Sequence, residues 1–193
     1  MFGVPPGQNG VVVAAVVFVL GSVPIIWLSR RSLLHPATHG FPRFFAFEAI
    51  FALVVLNAPY WFVRPLGVRQ LVSWLLLVMS AVLAVWGTVI LRRLGGSRPA
   101  TEGSPLFRWE NTASLVTTGI YRYIRHPMYS SLLFLAWGAL LKSVSIGALV
   151  LAGVATLALT TTAKVEEAEN VARFGQEYRD YMKQTRRFVP FVL

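Results

Sequence analysis

Long apolar runs constrain the fold of this chain more than any other feature of its sequence. Four of them hold about 20 mostly apolar residues, the length that a helix needs to cross a bilayer, and one is shorter. The runs cover residues 11–28, 44–63, 71–91, 127–141 and 144–163. Since backbone groups in lipid must be satisfied within their own segment, helices are the expected structure. We predict an all-α integral membrane protein with five transmembrane helices, forming a single membrane domain over residues 1–193.

The composition agrees with this class and excludes several kinds of function. The chain is 55% hydrophobic and 13% charged, which is typical of a membrane protein. Its net charge of +10 would suggest nucleic acid as the partner of a soluble chain. Here most basic residues flank the apolar runs, so anionic lipid headgroups are the expected partner and nucleic acid is not. With no cysteine, the chain has no disulfide, thiolate nucleophile or cysteine metal ligand.

The distribution of Lys and Arg predicts the orientation in the membrane. If the N-terminus lies outside, 15 of the 18 Lys and Arg residues fall on the cytoplasmic side. Only Arg64, Arg69 and Lys142 remain outside. Because cytoplasmic segments retain cations during insertion, we predict an outside N-terminus and a cytoplasmic C-terminus, in a prokaryotic inner membrane.

Two polar blocks are expected to meet at the cytoplasmic end of the last two spans. The first, at 121–129, holds two arginines, a histidine and three tyrosines; the second, at 164–169, holds paired carboxylates. Only Lys142 and Ser143 join the fourth and fifth runs, which predicts a tight antiparallel hairpin. Such a hairpin brings both blocks to the same face of the membrane, where they would form one site.

The segment after the fifth run is predicted to be a cytosolic amphipathic helix. Apolar and polar residues separate onto two faces here at helical spacing. Gly175 is expected to break the helix and Pro190 to lie beyond its end. The polar connection at 92–118 is long enough to act as a lid or a substrate entrance.

Several motifs in the C-terminal half resemble one family of membrane enzymes. They are LVTTGIY at 115–121, RHPMY at 125–129, Glu166-Glu167, FGQEYRDY at 174–181 and RFVP at 187–190. In this order and spacing they are similar to the isoprenylcysteine carboxyl methyltransferase and phospholipid methyltransferase superfamily. The resemblance covers residues 112–193, which become the predicted cofactor-binding region.

The resemblance implies S-adenosyl-L-methionine as the cofactor, bound on the cytosolic side. Carboxylates such as Glu166 and Glu167 suit its ammonium or ribose, and Tyr121 and Tyr129 suit its adenine or sulfonium. We predict three catalytic residues: Arg125, His126 and Glu166. The predicted cofactor-binding residues are Leu115, Val116, Tyr121, His126, Pro127, Tyr129, Glu166 and Glu167.

Ordinary membrane roles also account for several of these residues. Arg125 could simply be a positive-inside residue, and Pro127 suits the first turn of any helix. Glu166 and Glu167 could form a solvated helix face. His35 and His39 have the spacing of a metal pair, but Pro36 and Gly40 argue against a shared helical face, so we predict no metal.

Two departures from the family pattern bear on the methyl acceptor. Family members that act on prenylated cysteine tend to carry Arg four positions before the paired Glu and His two positions before the Leu-Val pair. This chain has Thr162 and Ala113 there. The expected acceptor is therefore lipid-like or small and apolar, with isoprenylcysteine carboxylate O-methylation and phospholipid amine N-methylation both open. The alternatives are a membrane NADPH-dependent sterol-type reductase and a non-enzymatic small transporter, and the oligomeric state stays open.

Overall fold

Helices make up nearly all of the regular structure of this chain. A computed structural model describes residues 7–96 and 114–189. Over these ranges the regular elements are helices, apart from one isolated bridge between Ile124 and Arg186, which confirms the predicted all-α class. The α-helices are α1 (Gln8–Leu33), α2 (Gly40–Asn57), α3 (Val68–Leu94), α4 (Pro127–Leu140), α5 (Ile146–Phe174) and α6 (Gln176–Gln184). Two 3-10 turns are added, at Ala58–Tyr60 and Gly119–Arg122.

Four of these helices are long and apolar enough to cross a membrane: α1, α3, α5, and α2 with its 3-10 extension. The fourth predicted run became α4, which has only 14 residues and is therefore about 21 Å long. A bilayer core is about 30 Å thick. The protein is an integral membrane protein whose fourth apolar helix is too short to cross the hydrocarbon region unaided.

Helix α4 lies in the middle of the bundle and contacts α2, α3 and α5. Small residues dominate the contacts, as expected where helices pack in lipid without a hydrophobic drive between them. Fully buried alanines include Ala46, Ala136, Ala139, Ala148, Ala152 and Ala155. Helix α1 packs against α2, where the Ser22 hydroxyl donates to Glu48 Oε2 at 2.7 Å.

Polar side chains of α2 and α3 accommodate the buried C-terminal end of α4. The Ser73 hydroxyl donates to the Gly138 carbonyl at 2.7 Å. The amide of Asn57 donates to the carbonyls of Ala139 at 2.8 Å and Ser143 at 3.1 Å. Since the last carbonyls of a helix lack partners within it, these donors allow α4 to end inside the bundle.

Lys142 completes this end of the bundle. Its side chain is fully buried, and the ammonium donates to Gln70 Oε1 at 3.1 Å. The same ammonium lies 3.3 Å from the centroid of the Trp74 ring. A hydrogen bond and a cation–π contact together hold this charge away from solvent. The α4–α5 hairpin is thereby fastened to α3 at the end opposite the two polar blocks.

Replacing Asn57 with leucine is expected to destabilise the fold. The change removes two side-chain hydrogen bonds, to the carbonyls of Ala139 and Ser143, each worth about 0.5–1.5 kcal/mol. Thermal unfolding in detergent should show a lower melting temperature for Asn57→Leu. The matched control is Asn9→Leu, because Asn9 is exposed on α1. Equal melting temperatures for the two variants would contradict this account.

The last long helix continues well past the fifth apolar run. Helix α5 extends unbroken from Ile146 to Phe174, so the paired glutamates are part of it. Gly175 ends it with a φ of +62°, in the left-handed region that glycine adopts easily, and α6 follows at once. The predicted break near Gly175 is confirmed. The proposed lid falls mostly at residues 97–113, which lie outside the described residues, as do residues 190–193.

Candidate active site

A cavity lies at the end of the bundle where α3 ends, α4 begins and α5 ends. It holds about 730 Å³ of space free of protein atoms, its open mouth included. The lining residues are Leu91, Ser114, Leu115, Val116, Tyr121, Arg125, His126, Pro127, Met128, Tyr129, Glu166, Asn170, Phe174, Tyr178 and Tyr181. Both polar blocks contribute to it, so the two blocks meet as expected from the hairpin.

The short length of α4 creates the space for this cavity. Pro127, the first residue of α4, packs against Gly87, which lies seven residues before the end of α3. Helix α3 therefore rises about 10 Å beyond the start of α4. The fixed φ of proline suits this first helical position, where no backbone N–H is needed. The segment just before α4 forms the floor of the cavity.

Tyr121 is held at the floor by a tight turn and by two hydrogen bonds. Gly119 starts the turn with a φ of +62°. The Tyr121 hydroxyl reaches the Gly87 carbonyl at 3.4 Å, and the Tyr181 hydroxyl donates to the Tyr121 carbonyl at 2.6 Å. Burial raises the pKa of both phenols well above the ordinary tyrosine range. Both tyrosines are therefore neutral hydrogen-bond donors at physiological pH.

One stripe of α5 supplies the polar wall. Glu166, Asn170 and Phe174 lie at positions i, i+4 and i+8, so they share one face of the helix. Asn170 lines the cavity together with Tyr178 of α6. Leu91, Leu115 and other apolar residues from α3, the loop after it and α4 form part of the remaining lining.

Glu166 is the carboxylate that faces the cavity. Its Oε2 accepts a 2.5 Å hydrogen bond from the Tyr129 hydroxyl. The same oxygen lies 3.8 Å from His126 Nδ1, and the His126 ring stacks on Tyr129 with centroids 5.3 Å apart. About a quarter of the Glu166 side chain stays exposed, at 28%. A cationic ligand in the cavity could therefore approach this carboxylate directly.

Glu167 points elsewhere and is not among the cavity-lining residues. Its buried carboxylate accepts hydrogen bonds from Arg125 Nε at 2.9 Å and from Arg187 Nη2 at 2.6 Å. His126 Nε2 lies 3.5 Å from the same carboxylate. Hydrogen bonding to Glu167 raises the pKa of Arg187 above its already high ordinary value. The two neighbouring glutamates thus have different surroundings: one faces the cavity and one is enclosed by two guanidinium groups.

Arg125 lines the cavity but uses much of its guanidinium inside the protein. Besides Glu167, it donates from Nη1 to the carbonyls of Met182 at 3.1 Å and Thr185 at 2.5 Å. These partners position Arg125 against the C-terminal segment, so a direct contact with a cofactor carboxylate would have to come from the remaining part of the group.

Of the predicted site residues, Glu167 alone does not line the cavity, although it contacts Arg125, which does. Leu115, Val116, Tyr121, Pro127 and the other predicted residues line the cavity. Sequence reasoning missed several further lining residues: Leu91, Ser114, Met128, Asn170, Phe174, Tyr178 and Tyr181. For Asn170 and Phe174 the i, i+4, i+8 spacing from Glu166 was a usable signal. The part of the chain that the structure describes has no cluster of three or more His, Cys, Asp or Glu that could hold a metal.

The chain is similar in sequence to two curated methyltransferases. A methanethiol S-methyltransferase of Pseudomonas deceptionensis is 28% identical over 158 residues, which cover 71% of this chain and 55% of that protein. A methanethiol S-methyltransferase of Crocosphaera subtropica is 24% identical over 160 residues, covering 74% of this chain and 59% of that protein. The chain therefore spans little more than half the length of these relatives. No solved structure matches it.

The profile of the phospholipid methyltransferase family matches residues 68–177. This stretch is more than half of the chain, runs from α3 through α5, and contains all of the cavity-lining residues except Tyr178 and Tyr181. The match confirms the resemblance drawn from the motifs, and the chain belongs to the phospholipid methyltransferase family.

Proposed function

We propose that this protein is a membrane methyltransferase that uses S-adenosyl-L-methionine and methylates a small apolar or lipid-like acceptor. The observation that carries the proposal is the meeting of the tyrosine-arginine-histidine segment with Glu166 in one cavity. Family membership and the names of the two relatives support the same reaction class. Because the chain matches only part of those relatives, the acceptor is a question for experiment.

The donor set of the cavity fits this cofactor. S-adenosyl-L-methionine carries an electrophilic methyl group on a sulfonium, and this group is the one that is transferred. Glu166 offers negative charge to a cationic ligand, and a charge-assisted hydrogen bond to it is worth about 1.5–3 kcal/mol. The aromatic rings of Tyr121 and Tyr129 offer faces for a sulfonium or an adenine, at about 0.5–2 kcal/mol for the cation.

The residues of the site contribute position and a dry environment rather than covalent chemistry. Tyr129 fixes the Glu166 carboxylate through its hydroxyl, and Arg125 and His126 border the cavity beside it. Apolar residues such as Leu91, Val116 and Met128 line the cavity and would limit the access of water to bound reactants. Holding two reactants in line within such a pocket can lower a barrier by about 7–11 kcal/mol at the extreme.

An apolar acceptor suits the setting of the cavity. Apolar side chains, among them Leu91, Val116 and Met128, form part of the cavity lining, so a small apolar acceptor can pack against them. The relatives are named for methanethiol, a small apolar thiol, whereas the family is named for phospholipids. Of these two classes we favour a small thiol, because two separate relatives point to it. The excess of Lys and Arg on one side supports a site that faces the cytosol, with the N-terminus outside.

A ligand-stabilisation experiment separates this function from its alternatives. S-adenosylhomocysteine should raise the melting temperature of the purified protein in detergent, because a ligand that binds the folded state stabilises it by about 2.7 kcal/mol at 100 times its Kd. NADPH should leave the melting temperature unchanged. Stabilisation by NADPH alone would favour a reductase, and stabilisation by neither ligand would favour a transporter.

The acceptor class follows from a second measurement. Membranes containing the protein are incubated with S-adenosylmethionine labelled in the methyl group, together with methanethiol or with phosphatidylethanolamine. We expect label in a volatile thioether with the first acceptor. Label in an extractable phospholipid instead would overturn the thiol assignment while leaving the methyltransferase assignment intact.

A further inference from the structure

The segment after α6 runs alongside the segment that forms the floor of the cavity. Arg125 N–H donates to the Arg186 carbonyl at 2.8 Å, and His126 N–H donates to the Arg187 carbonyl at 3.1 Å. In return, Arg186 N–H donates to the Tyr123 carbonyl at 3.1 Å. The Ser130 hydroxyl also donates to the Phe188 carbonyl at 2.7 Å. The backbone of the cavity floor is therefore tied to residues 186–188.

The Arg187 side chain adds a charged connection to this pairing. Its Nη2 donates to Glu167 Oε2 at 2.6 Å and its Nε donates to Oε1 at 3.1 Å, a bidentate contact. Arg125 Nε donates to the same Oε1 at 2.9 Å from the other side. Only 6% of the Glu167 side chain is exposed. Solvent and salt screen such a buried pair far less than a surface pair.

The geometry points to Arg187 as a positioning residue for the site, an inference that rests on the proposed function. Arg187 is outside the cavity lining, but Glu167, which it holds, contacts Arg125 and lies beside His126, and those two residues line the cavity. Arg187 therefore acts through Glu167. Its two hydrogen bonds hold the Glu167 carboxylate in the orientation in which Oε1 accepts the hydrogen bond from Arg125 Nε. Without Arg187 the carboxylate can turn, and Arg125 and His126 lose a fixed partner.

The neighbouring arginine offers a matched control. Arg186 has an exposed side chain, and its described contacts with the cavity floor are made by its backbone. Arg186→Gln removes one positive charge from the same short segment while keeping the backbone pairing. Arg187→Gln removes the same charge together with the bidentate contact. Arg187→Lys keeps the charge but cannot form the two parallel hydrogen bonds.

The test measures the Kd of S-adenosylhomocysteine for purified full-length protein in detergent, at a temperature well below melting. We expect Arg187→Gln to raise the Kd about tenfold, Arg187→Lys to give an intermediate value, and Arg186→Gln to stay within about twofold of the wild-type value. A purely structural role would lower the melting temperature of Arg187→Gln and leave this Kd unchanged. That result would overturn the proposal.

A double-mutant cycle tests whether Arg187 acts through Glu167. In a Glu167→Gln background, the further change Arg187→Gln should alter the Kd by less than about twofold, because the carboxylate it holds is gone. Full additivity of the two changes would overturn the proposed route. Wild-type protein that binds no S-adenosylhomocysteine would instead overturn the proposed function, and the role of Arg187 with it. Binding by wild type together with equal Kd values for the Arg186 and Arg187 variants would overturn the role of Arg187 alone.

Discussion

Glu166→Gln should weaken the binding of S-adenosylhomocysteine and lower methyl-transfer activity by about 10- to 100-fold. The change keeps the shape of the side chain but removes the negative charge that faces the cavity. A hydrogen bond to a charged group is worth about 1.5–3 kcal/mol, and each 1.4 kcal/mol is a factor of ten. Calorimetric titration of the variant, together with a labelled-methyl assay, measures both quantities.

The fold should tolerate this substitution, so a loss of binding and activity would not come from a general loss of structure. Glu166 is partly exposed, and glutamine can still accept the hydrogen bond from the Tyr129 hydroxyl. Glu177→Gln is the matched control, since Glu177 is exposed on α6 and outside the cavity lining. It should bind and react like the wild type. A Glu166 variant with wild-type affinity and activity would contradict the assignment of this carboxylate to the cofactor.

Gly119→Val is expected to lower both stability and ligand affinity. Gly119 adopts a φ of +62°, a conformation that a β-branched residue avoids at a cost of about 1–3 kcal/mol. A side chain at this position would also collide with Ile90 of α3. Relief of the strain would shift the turn that carries Tyr121 into the cavity. We expect a lower melting temperature and a Kd for S-adenosylhomocysteine raised by about tenfold or more.

The glycine Gly153 provides the comparison for this variant. It lies on α5, and apart from its chain neighbours and the nearby backbone of its own helix a Cβ added there would meet no atom within 4 Å. Gly153→Val should therefore melt close to the wild type and bind the ligand normally. A Gly119→Val variant with the melting temperature and Kd of the wild type would contradict the role of Gly119 in positioning Tyr121.

The hairpin was the part of the site that sequence reasoning could predict. Helices joined by only two residues run antiparallel. Tyr129 at the start of the first helix and Glu166 near the end of the second therefore lie at the same end of the bundle. Helical periodicity also placed Asn170 and Phe174 on the face of Glu166, a signal that was present but not used. The sequence could not distinguish Glu166 from Glu167, because both are carboxylates that follow the same apolar run.

Tertiary packing decided how those two carboxylates differ. Adjacent residues on a helix point about 100° apart, so one could face the cavity and the other the C-terminal segment. Which one did so depended on where residues 186–188 lie against the cavity floor, a long-range pairing that no local pattern encodes. The same is true of Asn57, Gln70 and Lys142, whose partners at the end of α4 come from other helices.

Apolar length and charge distribution by themselves determined that this chain is a helical membrane protein and which residues could gather at one of its ends. These properties act locally, because every span must satisfy its own backbone in lipid. Only the tertiary structure decided that α4 stops short within the bundle, that the resulting space becomes a cavity between α3 and α5, and that Glu166 rather than Glu167 faces it. Those outcomes depend on contacts between residues far apart in the chain, whose energies exist only once the helices have packed.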